Sequence, residues 1–238
     1  MKIVIAHLYY DLLNLYGESG NVKALKKQLE DQNIKVEVKF LTIDDELDFD
    51  LYDVVYIGSG TKENQLIALK HLIKYKNSIK KYINDNKFLI ATGNAYEMFG
   101  KKIDEVKALN IFNYEAKTEN FRMVDECIFK CDKIYEYVIG FQNQGSTLKN
   151  NENSFFEVIK GIGNYPKSNF EGYQENNFYG TYLIGPLLIR NPHLLKYMIK
   201  EIVSLKYPNF KFKKFNLKLE TKAYNKYIDL KYEDLSKV

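Results

Sequence analysis

The stretch FLIATGNAYEMFG at residues 88–100 decides the fold of this 238-residue chain. Its first four residues form an unbroken apolar run, which predicts a short strand covered on both faces of a sheet. Gly93 and Asn94 follow almost at once, and both residue types tolerate the positive φ angle of a sharp turn. A short helix is predicted to follow, through Tyr96 and Phe99. We therefore predict a strand-turn-helix elbow at the carboxyl end of a strand, where α/β sheets carry their functional sites.

The segments before this elbow alternate between strands and helices. Residues 3–6, 34–41 and 54–57 are apolar or alternating runs rich in β-branched residues, which predict three further strands. Helices are predicted from near Asn21 and over residues 62–84, where apolar residues recur at helical spacing. Strands that alternate with helices in this way indicate βαβ units and a mainly parallel sheet.

The second half of the chain changes character. Over residues 111–159, aromatic and β-branched residues alternate with polar ones, which predicts antiparallel strands that extend the same sheet. Residues 161–177 are rich in Gly, Asn, Glu and Tyr and are expected to form an exposed loop. Another strand is predicted over residues 178–184.

A helix opened by Pro192 is predicted to run to residue 206, because leucine, methionine and isoleucine recur on one face. The tail that follows has short apolar runs and a polar end, and we expect it to dock loosely. No internal repeat or linker is visible. We therefore predict one domain over residues 1–206, followed by a C-terminal extension over residues 207–238.

The composition excludes several classes of protein. The net charge is +4 and the isoelectric point is near 8.7, but Arg122 and Arg190 are the only arginines. Because arginine forks are the usual readers of phosphates and base edges, we expect no nucleic-acid partner. No apolar run approaches the ~18 residues of a membrane span, and residues 3–6 are too short for the core of a signal peptide. We expect a cytoplasmic protein with no membrane insertion.

The two cysteines, Cys127 and Cys131, do not form a Cys-x-x-Cys pair, and the chain has no second pair to complete a zinc site. The alternating residues around them indicate a strand, in which small buried thiols are common. We therefore predict structural cysteines and no metal site.

Five motifs follow one another between residues 7 and 186 of the chain. Besides the elbow they are HLYYDLLNLYGESGN at residues 7–21, GSGTKENQ at 58–65, GFQNQG at 140–145 and GTYLIGP at 180–186. Together they resemble the CobB/CobQ-type class I glutamine amidotransferases, and among them the GatD-type subunits of lipid II isoglutaminyl synthase. The resemblance implies a three-layer, flavodoxin-like α/β fold with a mostly parallel central sheet that antiparallel strands extend.

The resemblance also implies a reaction and the residues that should perform it. In that family a cysteine thiolate on the elbow attacks the glutamine carboxamide, a histidine moves the proton, and backbone N–H groups stabilise the oxyanion. A match without gaps places Gly93 at the cysteine and Ile184 at the histidine. Glycine cannot form a thioester and isoleucine cannot move a proton. We therefore expect no catalytic residues and no cofactor.

The same motifs indicate where a ligand pocket should lie. The 58–65 loop is similar to the loop that contributes the family's oxyanion hole, with Ser59 in place of a glycine and Gln65 kept. In the GFQNQG motif, Gln144 stands where the family has a histidine. We expect the pocket residues to be Gly58, Ser59, Gly60, Gln65, Asn94, Arg122, Asn143 and Gln144.

Three functions remain open. The first is a non-hydrolytic partner or regulatory subunit of a Mur-ligase-like synthetase that amidates a cell-wall precursor, lipid II. The second is an active glutaminase or amidohydrolase with a rebuilt nucleophile, for which Ser59, Thr92 and Ser146 supply hydroxyls and His7 a base. The third is a sensor that binds glutamine or another amino acid through backbone donors at residues 58–60.

Overall fold

The computed structural model describes residues 1–231. The strands are, in chain order, β1 (Lys2–Leu8), β2 (Lys35–Leu41), β3 (Val54–Ile57), β4 (Phe88–Thr92), β5 (Lys102–Ile103), β6 (Val106–Lys107), β7 (Glu115–Lys130), β8 (Val138–Lys149), β9 (Phe156–Lys160), β10 (Phe170–Glu171), β11 (Tyr173–Glu175) and β12 (Phe178–Thr181). The helices are α1 (Ser19–Asp31), α2 (Lys62–Leu72), α3 (Lys76–Asn84), α4 (Leu187–Arg190), α5 (Pro192–Lys206) and α6 (Lys218–Lys231). Short 3-10 turns occupy Phe49–Leu51, Ile73–Tyr75 and Gly93–Phe99.

The central sheet has the strand order β11-β12-β4-β3-β1-β2. Every neighbouring pair in it is parallel except β11 and β12, which are antiparallel. The predicted architecture, a mostly parallel central sheet extended by antiparallel structure, is therefore confirmed. The carboxyl ends of β3, β4 and β12 lie side by side and form the edge where the candidate site is found.

Helices cover both faces of the central sheet, which explains why its strands are apolar without interruption. In β1, Ile3 and Ile5 contribute to the core on the side of α1, α4 and α5, whereas Ala6 and Leu8 contribute to the core on the side of α2 and α3. This division follows from the two-residue repeat of a strand. The result is a three-layer α/β arrangement.

The prediction that residues 111–159 extend the central sheet is wrong. These residues contribute to a second sheet, with the order β10-β9-β7-β5-β6 and with β8 paired to β7. The two sheets are joined locally by an isolated bridge between Gln142 and Leu183. The backbone N–H of Ile184 also donates to the carbonyl of Phe141 at 3.0 Å. The second sheet therefore lies against the end of β12 and forms one wall of the candidate site.

Residues 161–177 are not the exposed loop that their composition predicts. They include β10 and β11, and Asn164 and Glu171 are buried. The Glu171 carboxylate accepts hydrogen bonds from the Thr181 hydroxyl at 2.8 Å and from the Tyr182 backbone N–H at 2.6 Å. Burial raises the pKa of Glu171 to about 8, against which these two donors act. The segment thus ties the second sheet to the end of β12.

Four helices differ in detail from the prediction. The region predicted as one helix over residues 62–84 is α2 and α3, separated by a 3-10 turn. Helix α1 begins at Ser19, two residues before Asn21, and the buried side chain of Asn21 donates to the Tyr56 hydroxyl and to the Gly185 carbonyl. The C-terminal extension contains α6, whose Tyr224 is buried and donates to the Tyr137 carbonyl at 2.7 Å. The extension beyond residue 231 lies outside the described residues.

Candidate functional site

The elbow predicted at the end of β4 is present. Gly93 has a φ of +59° and opens the 3-10 turn Gly93–Phe99. A Cβ atom on Gly93 would lie 2.4 Å from both the Cβ and the Oγ of Ser59, and 3.1 Å from Cγ2 of Ile184. Residues 93 and 184, which the motifs assign to a nucleophile and a base, therefore face each other across the ends of β4 and β12.

Ser59 occupies the space that a side chain at residue 93 would need. Real Cβ atoms do not approach other heavy atoms to 2.4 Å, so a substituent on Gly93 and the Ser59 side chain exclude each other. The Ser59 hydroxyl donates to Oδ1 of Asn94 at 3.1 Å and is almost fully buried. This hydroxyl is therefore held by a neighbour within the elbow.

The side chain of Asn94 is paired with the backbone of Gly60. The Gly60 N–H donates to Oδ1 of Asn94 at 3.1 Å, and Nδ2 of Asn94 donates to the Gly60 carbonyl at 3.1 Å. A primary carboxamide from the chain itself thus binds to the loop that the motifs assign to oxyanion or ligand binding. In this arrangement the Gly60 N–H already donates to Asn94 and is not free to donate to an oxygen of a ligand.

Below Asn94, a buried carboxyl group is held by two donors. Nε2 of Gln65 donates to the Asn94 carbonyl at 2.6 Å and to Oε2 of Glu97 at 2.8 Å. The Tyr182 hydroxyl donates to Oε1 of Glu97 at 3.0 Å. Burial raises the pKa of Glu97, and the donors from Gln65 and Tyr182 act in the opposite direction. Gln65, Glu97 and Tyr182 therefore form a hydrogen-bonded group under the elbow, in which the buried Oε1 of Gln65 has no partner.

The cleft around these residues has a volume of about 430 Å³. Arg122 lies at its exposed rim, where Nε donates to Oδ1 of Asn143 at 2.8 Å and a terminal nitrogen donates to the Asn143 carbonyl at 3.0 Å. Gln144 is buried, and its amide nitrogen donates to the carbonyls of Ser146 and Gly163. The expected pocket residues that line the cleft are Ser59, Gly60, Gln65, Asn94, Arg122, Asn143 and Gln144. Gly58 lies behind the cleft, because a Cβ there would meet the Leu13 carbonyl at 2.3 Å.

Residues 4–192 match the family model described as the CobB/CobQ-like glutamine amidotransferase domain. The chain belongs to this family. It is 29% identical over 233 residues to subunit GatD of lipid II isoglutaminyl synthase (glutamine-hydrolyzing) from Staphylococcus aureus, a match that covers 96% of each chain. The GatD subunit from Streptococcus pneumoniae is 29% identical over 214 residues, which cover 87% of this chain and 82% of that protein.

Solved structures of glutamine amidotransferases share the fold. One from Thermotoga maritima has a TM-score of 0.50 at 9% identity and covers 96% of this chain and 92% of its own. A second glutamine amidotransferase has a TM-score of 0.52 at 14% identity and covers 85% of this chain and 98% of its own. At such identities the similarity shows the amidotransferase fold alone.

Thr92 and Ser146, two of the predicted substitutes for the nucleophile, both have hydrogen-bond partners within this amidotransferase fold. Thr92 points away from the cleft, and its hydroxyl lies 2.8 Å from the Tyr56 hydroxyl inside the core. Ser146 lines the cleft and its side chain acts on the Glu97 carboxyl, lowering its pKa. The Glu97 oxygens already accept from Gln65 and Tyr182.

Within the described residues, no histidine lines the cleft. His7 is fully buried at the carboxyl end of β1, both ring nitrogens lack hydrogen-bond partners, and burial lowers its pKa to about 4. His71 lies 3.0 Å from the Tyr9 hydroxyl, and His193 lies 2.9 Å from Glu136. The elbow of this amidotransferase domain is therefore without an imidazole base in its described surroundings.

Both cysteines are buried in or beside the second sheet, away from the elbow. The Cys127 thiol donates to Oε1 of Gln142 at 3.1 Å, and burial raises its pKa to about 12. Burial raises the pKa of Cys131 to about 11. Because a thiolate is the reactive form, neither sulfur is a nucleophile near neutral pH. Within residues 1–231, no group of three or more His, Cys, Asp or Glu side chains is placed to hold a metal ion.

Sequence reasoning missed two features of the site. It included Asn94 as a pocket residue, but nothing in the sequence indicated that its carboxamide pairs with Gly60 in both directions. It also omitted Tyr182, although this tyrosine stands in the GTYLIGP motif and lines the cleft. The signal for Tyr182 was its position two residues before Ile184, which places both side chains at the same sheet edge.

Proposed function

We propose that this chain is a non-hydrolytic subunit of a synthetase that amidates lipid II. In this role it binds a Mur-ligase-like synthetase and supports it without supplying ammonia from glutamine. The synthetase then uses free ammonium, or the chain regulates it. The lipid II substrate is suggested by two relatives that are named as subunits of lipid II isoglutaminyl synthase and that align over most of their length.

The observation that carries the proposal is the closed elbow. Gly93 offers no nucleophile, Ile184 offers no base, and the Gly60 N–H is occupied by the carboxamide of Asn94. Covalent catalysis on glutamine needs a nucleophile and a base that share a hydrogen bond, together with free oxyanion donors. Residues 93 and 184 therefore supply neither the nucleophile nor the base, and the Gly60 N–H, one candidate oxyanion donor, is already engaged.

The test is to purify the chain together with the Mur-ligase-like synthetase from the same cells and to assay the complex. We expect stoichiometric co-purification, no glutamate release from glutamine above the rate without protein, and amidation of lipid II that depends on added ammonium. An otherwise identical reaction with glutamine as the nitrogen source is the control. Amidation driven by glutamine, or failure of the two chains to co-purify, would contradict the proposal.

A second candidate is an amidohydrolase that uses Ser59. The observation in its favour is that the Ser59 hydroxyl stands 2.4 Å from the Cβ position of residue 93, within reach of the space where the family's nucleophile acts. Against it, the Ser59 hydroxyl donates to Asn94 and has no base partner among its hydrogen bonds. Glutamate release that disappears in Ser59→Ala and persists in Ser146→Ala would support this alternative over the first.

A further inference from the structure

The positive charge of this chain is concentrated in its C-terminal extension. Residues 1–206 contain 27 basic and 27 acidic side chains, whereas residues 207–231 contain seven lysines and two carboxylates. The amidotransferase domain is therefore neutral overall at pH 7. The extension carries the excess that gives the whole chain its net charge of +4.

Five lysines, most of them in the extension, line a groove with a volume of about 900 Å³. The groove is formed by α5, the segment before α6, and α6 itself. These five lysines are Lys196, Lys214, Lys218, Lys222 and Lys226. Asp229 is the carboxylate that lines the same surface. We call this set of five lysines the basic face.

The basic face is not neutralised within the described part of the chain. None of its five lysines forms an ion pair or a side-chain hydrogen bond with another described residue, although the Lys196 ammonium lies 5.8 Å from the ring centroid of Phe215. Two other lysines close to the extension do have anionic partners: Lys206 binds Asp53 at 2.6 Å and Lys231 binds Glu126 at 3.1 Å. The basic face therefore keeps its positive charge for an external anion.

An apolar stripe runs beside the basic face on α6. Lys218, Lys222 and Lys226 are four residues apart and lie along one side of the helix. Leu219 and Leu230 lie on one side of the helix, next to the row of lysines, and are 78% and 71% exposed. A helix that combines a lysine row with exposed leucines is suited to lie in the plane of a membrane interface, leucines toward the acyl chains and lysines on the anionic headgroups.

We propose that α6 and the basic face attach this protein to the surface of an anionic lipid bilayer. No helix within residues 1–231 is long and apolar enough to cross a membrane, so the attachment is peripheral. A lipid surface fits better than a nucleic acid, because the face lacks arginine and presents two large exposed leucines. The proposal concerns a different surface from the cleft and holds whether or not the cleft is catalytic.

The experiment is flotation of the full chain with vesicles of phosphatidylcholine that contain about a third phosphatidylglycerol, and with vesicles of phosphatidylcholine alone. We expect binding to the anionic vesicles only, weakened when the salt rises from about 0.1 M to about 0.5 M. Since each lysine near such a surface contributes about fivefold, Lys218→Gln, Lys222→Gln and Lys226→Gln together should weaken binding about a hundredfold. Glutamine keeps the helix propensity of these positions.

A matched variant removes three exposed lysines elsewhere: Lys70→Gln, Lys74→Gln and Lys80→Gln. It has the same net charge as the first variant, and we expect it to bind anionic vesicles nearly as well as the unmodified chain. Equal losses in both variants would mean that only net charge matters and would overturn the assignment to α6. Binding to both kinds of vesicle alike would overturn it too.

A third variant separates lipid from nucleic acid. Leu219→Ser with Leu230→Ser leaves every lysine in place but removes the apolar stripe, so vesicle binding should weaken by at least about tenfold. Binding of the unmodified chain to a duplex oligonucleotide as tight as its binding to anionic vesicles, unchanged by the leucine substitutions, would identify a general polyanion surface. That result would overturn the proposed lipid surface.

Discussion

The cleft and the basic face treat their polar groups in opposite ways. In the cleft, Ser59, Asn94, Gln65 and Glu97 bind one another or the neighbouring backbone. On the basic face, five lysines have no anionic partner among the described residues. Polar groups that bind one another stabilise the folded chain and have few donors or acceptors left for a ligand. Charges without a partner in the chain remain available to another molecule. This difference is the reason why we place the proposed binding surface on α6 and not at residues 93 and 184.

The two regions should also differ in what a substitution costs. When one partner of a buried hydrogen bond is removed, the group that remains is left unpaired, and the free energy of unfolding falls by the cost of its desolvation. Exposed lysines contribute little to the free energy of unfolding. Substitutions in the cleft are therefore expected to change stability, and substitutions of the basic face to change binding.

The largest effect is expected from Gly93→Ala. The new Cβ would sit at a φ of +59° and 2.4 Å from the Ser59 side chain. We expect it to lower the free energy of unfolding by about 3 kcal/mol, from backbone strain and overlap together. Urea denaturation of the variant and of the unmodified chain measures the change.

Two variants separate the causes of that loss. Gly17 has a φ of +78° with nothing within 4 Å of its Cβ position, so Gly17→Ala carries the backbone strain without the overlap. Ser59→Gly combined with Gly93→Ala removes the overlap and should recover about 1–2 kcal/mol. If Gly93→Ala costs no more than Gly17→Ala, residues 59 and 93 do not compete for space and the closed cleft is misdescribed.

An intermediate effect is expected where the extension meets the domain. Tyr224 is buried, its hydroxyl donates to the Tyr137 carbonyl, and its ring packs edge-on to His193 with centroids 5.3 Å apart. Tyr224→Ala should destabilise the docking of α6 by about 2 kcal/mol, because a large buried ring and a hydrogen bond are lost. Amide hydrogen exchange across residues 218–231 should accelerate, while exchange in β1 and β3 stays unchanged.

Tyr224→Phe keeps the ring and removes only the hydrogen bond. It should cost about 1 kcal/mol, half the effect or less. If Tyr224→Ala accelerates exchange throughout the central sheet, α6 is an integral part of the domain core, and the contrast between a closed domain and an added basic surface fails.

The smallest effect, measured over any single pH unit, is a change in the pH dependence of the free energy of unfolding. Burial raises the pKa of Glu171 to about 8 in the folded chain, from a reference value of 4.5. Between these values the folded state holds a proton that the unfolded state has released. This group therefore makes its whole contribution to the free energy of unfolding below about pH 4.5, and the contribution is lost as the pH rises to about 8.

Glu171→Gln should remove this dependence and flatten the slope by up to about 1.4 kcal/mol per pH unit. Thermal or urea unfolding at several pH values measures the slope. Glu157→Gln, at an exposed position of β9, is the control for loss of a carboxylate at the surface. An unchanged slope in Glu171→Gln would mean that this carboxyl is ionised in the folded chain.

Much of the fold could be predicted from local patterns. The apolar strand at residues 88–91, the sharp turn at Gly93 and the helix that begins at Pro192 all follow from short-range preferences, and the structure contains each of them. The order of the motifs also predicted the amidotransferase fold, because five short matches in sequence constrain the topology. These features depend on residues that are near one another in the chain.

The rest depends on pairings between distant segments. Residues 111–159 have the alternation of antiparallel strands, but alternation does not specify which strand is the neighbour, and they formed a second sheet. Glu171 stands in a segment rich in Gly and Asn, and its burial comes from donors on Thr181 and Tyr182. The pairing of Asn94 with Gly60 likewise joins two separate loops, so it cannot be predicted from composition or from the spacing of residues.

The contact between residues 59 and 93 also sets the order in which substitutions can be made. A chain that acquired a cysteine at residue 93 first would have to place its Cβ 2.4 Å from the side chain of Ser59. Replacing Ser59 by glycine first opens that space, after which a side chain at residue 93 and an imidazole at residue 184 could be added in turn. Laboratory selection for glutamine hydrolysis should therefore begin at residue 59, although that residue would perform none of the chemistry.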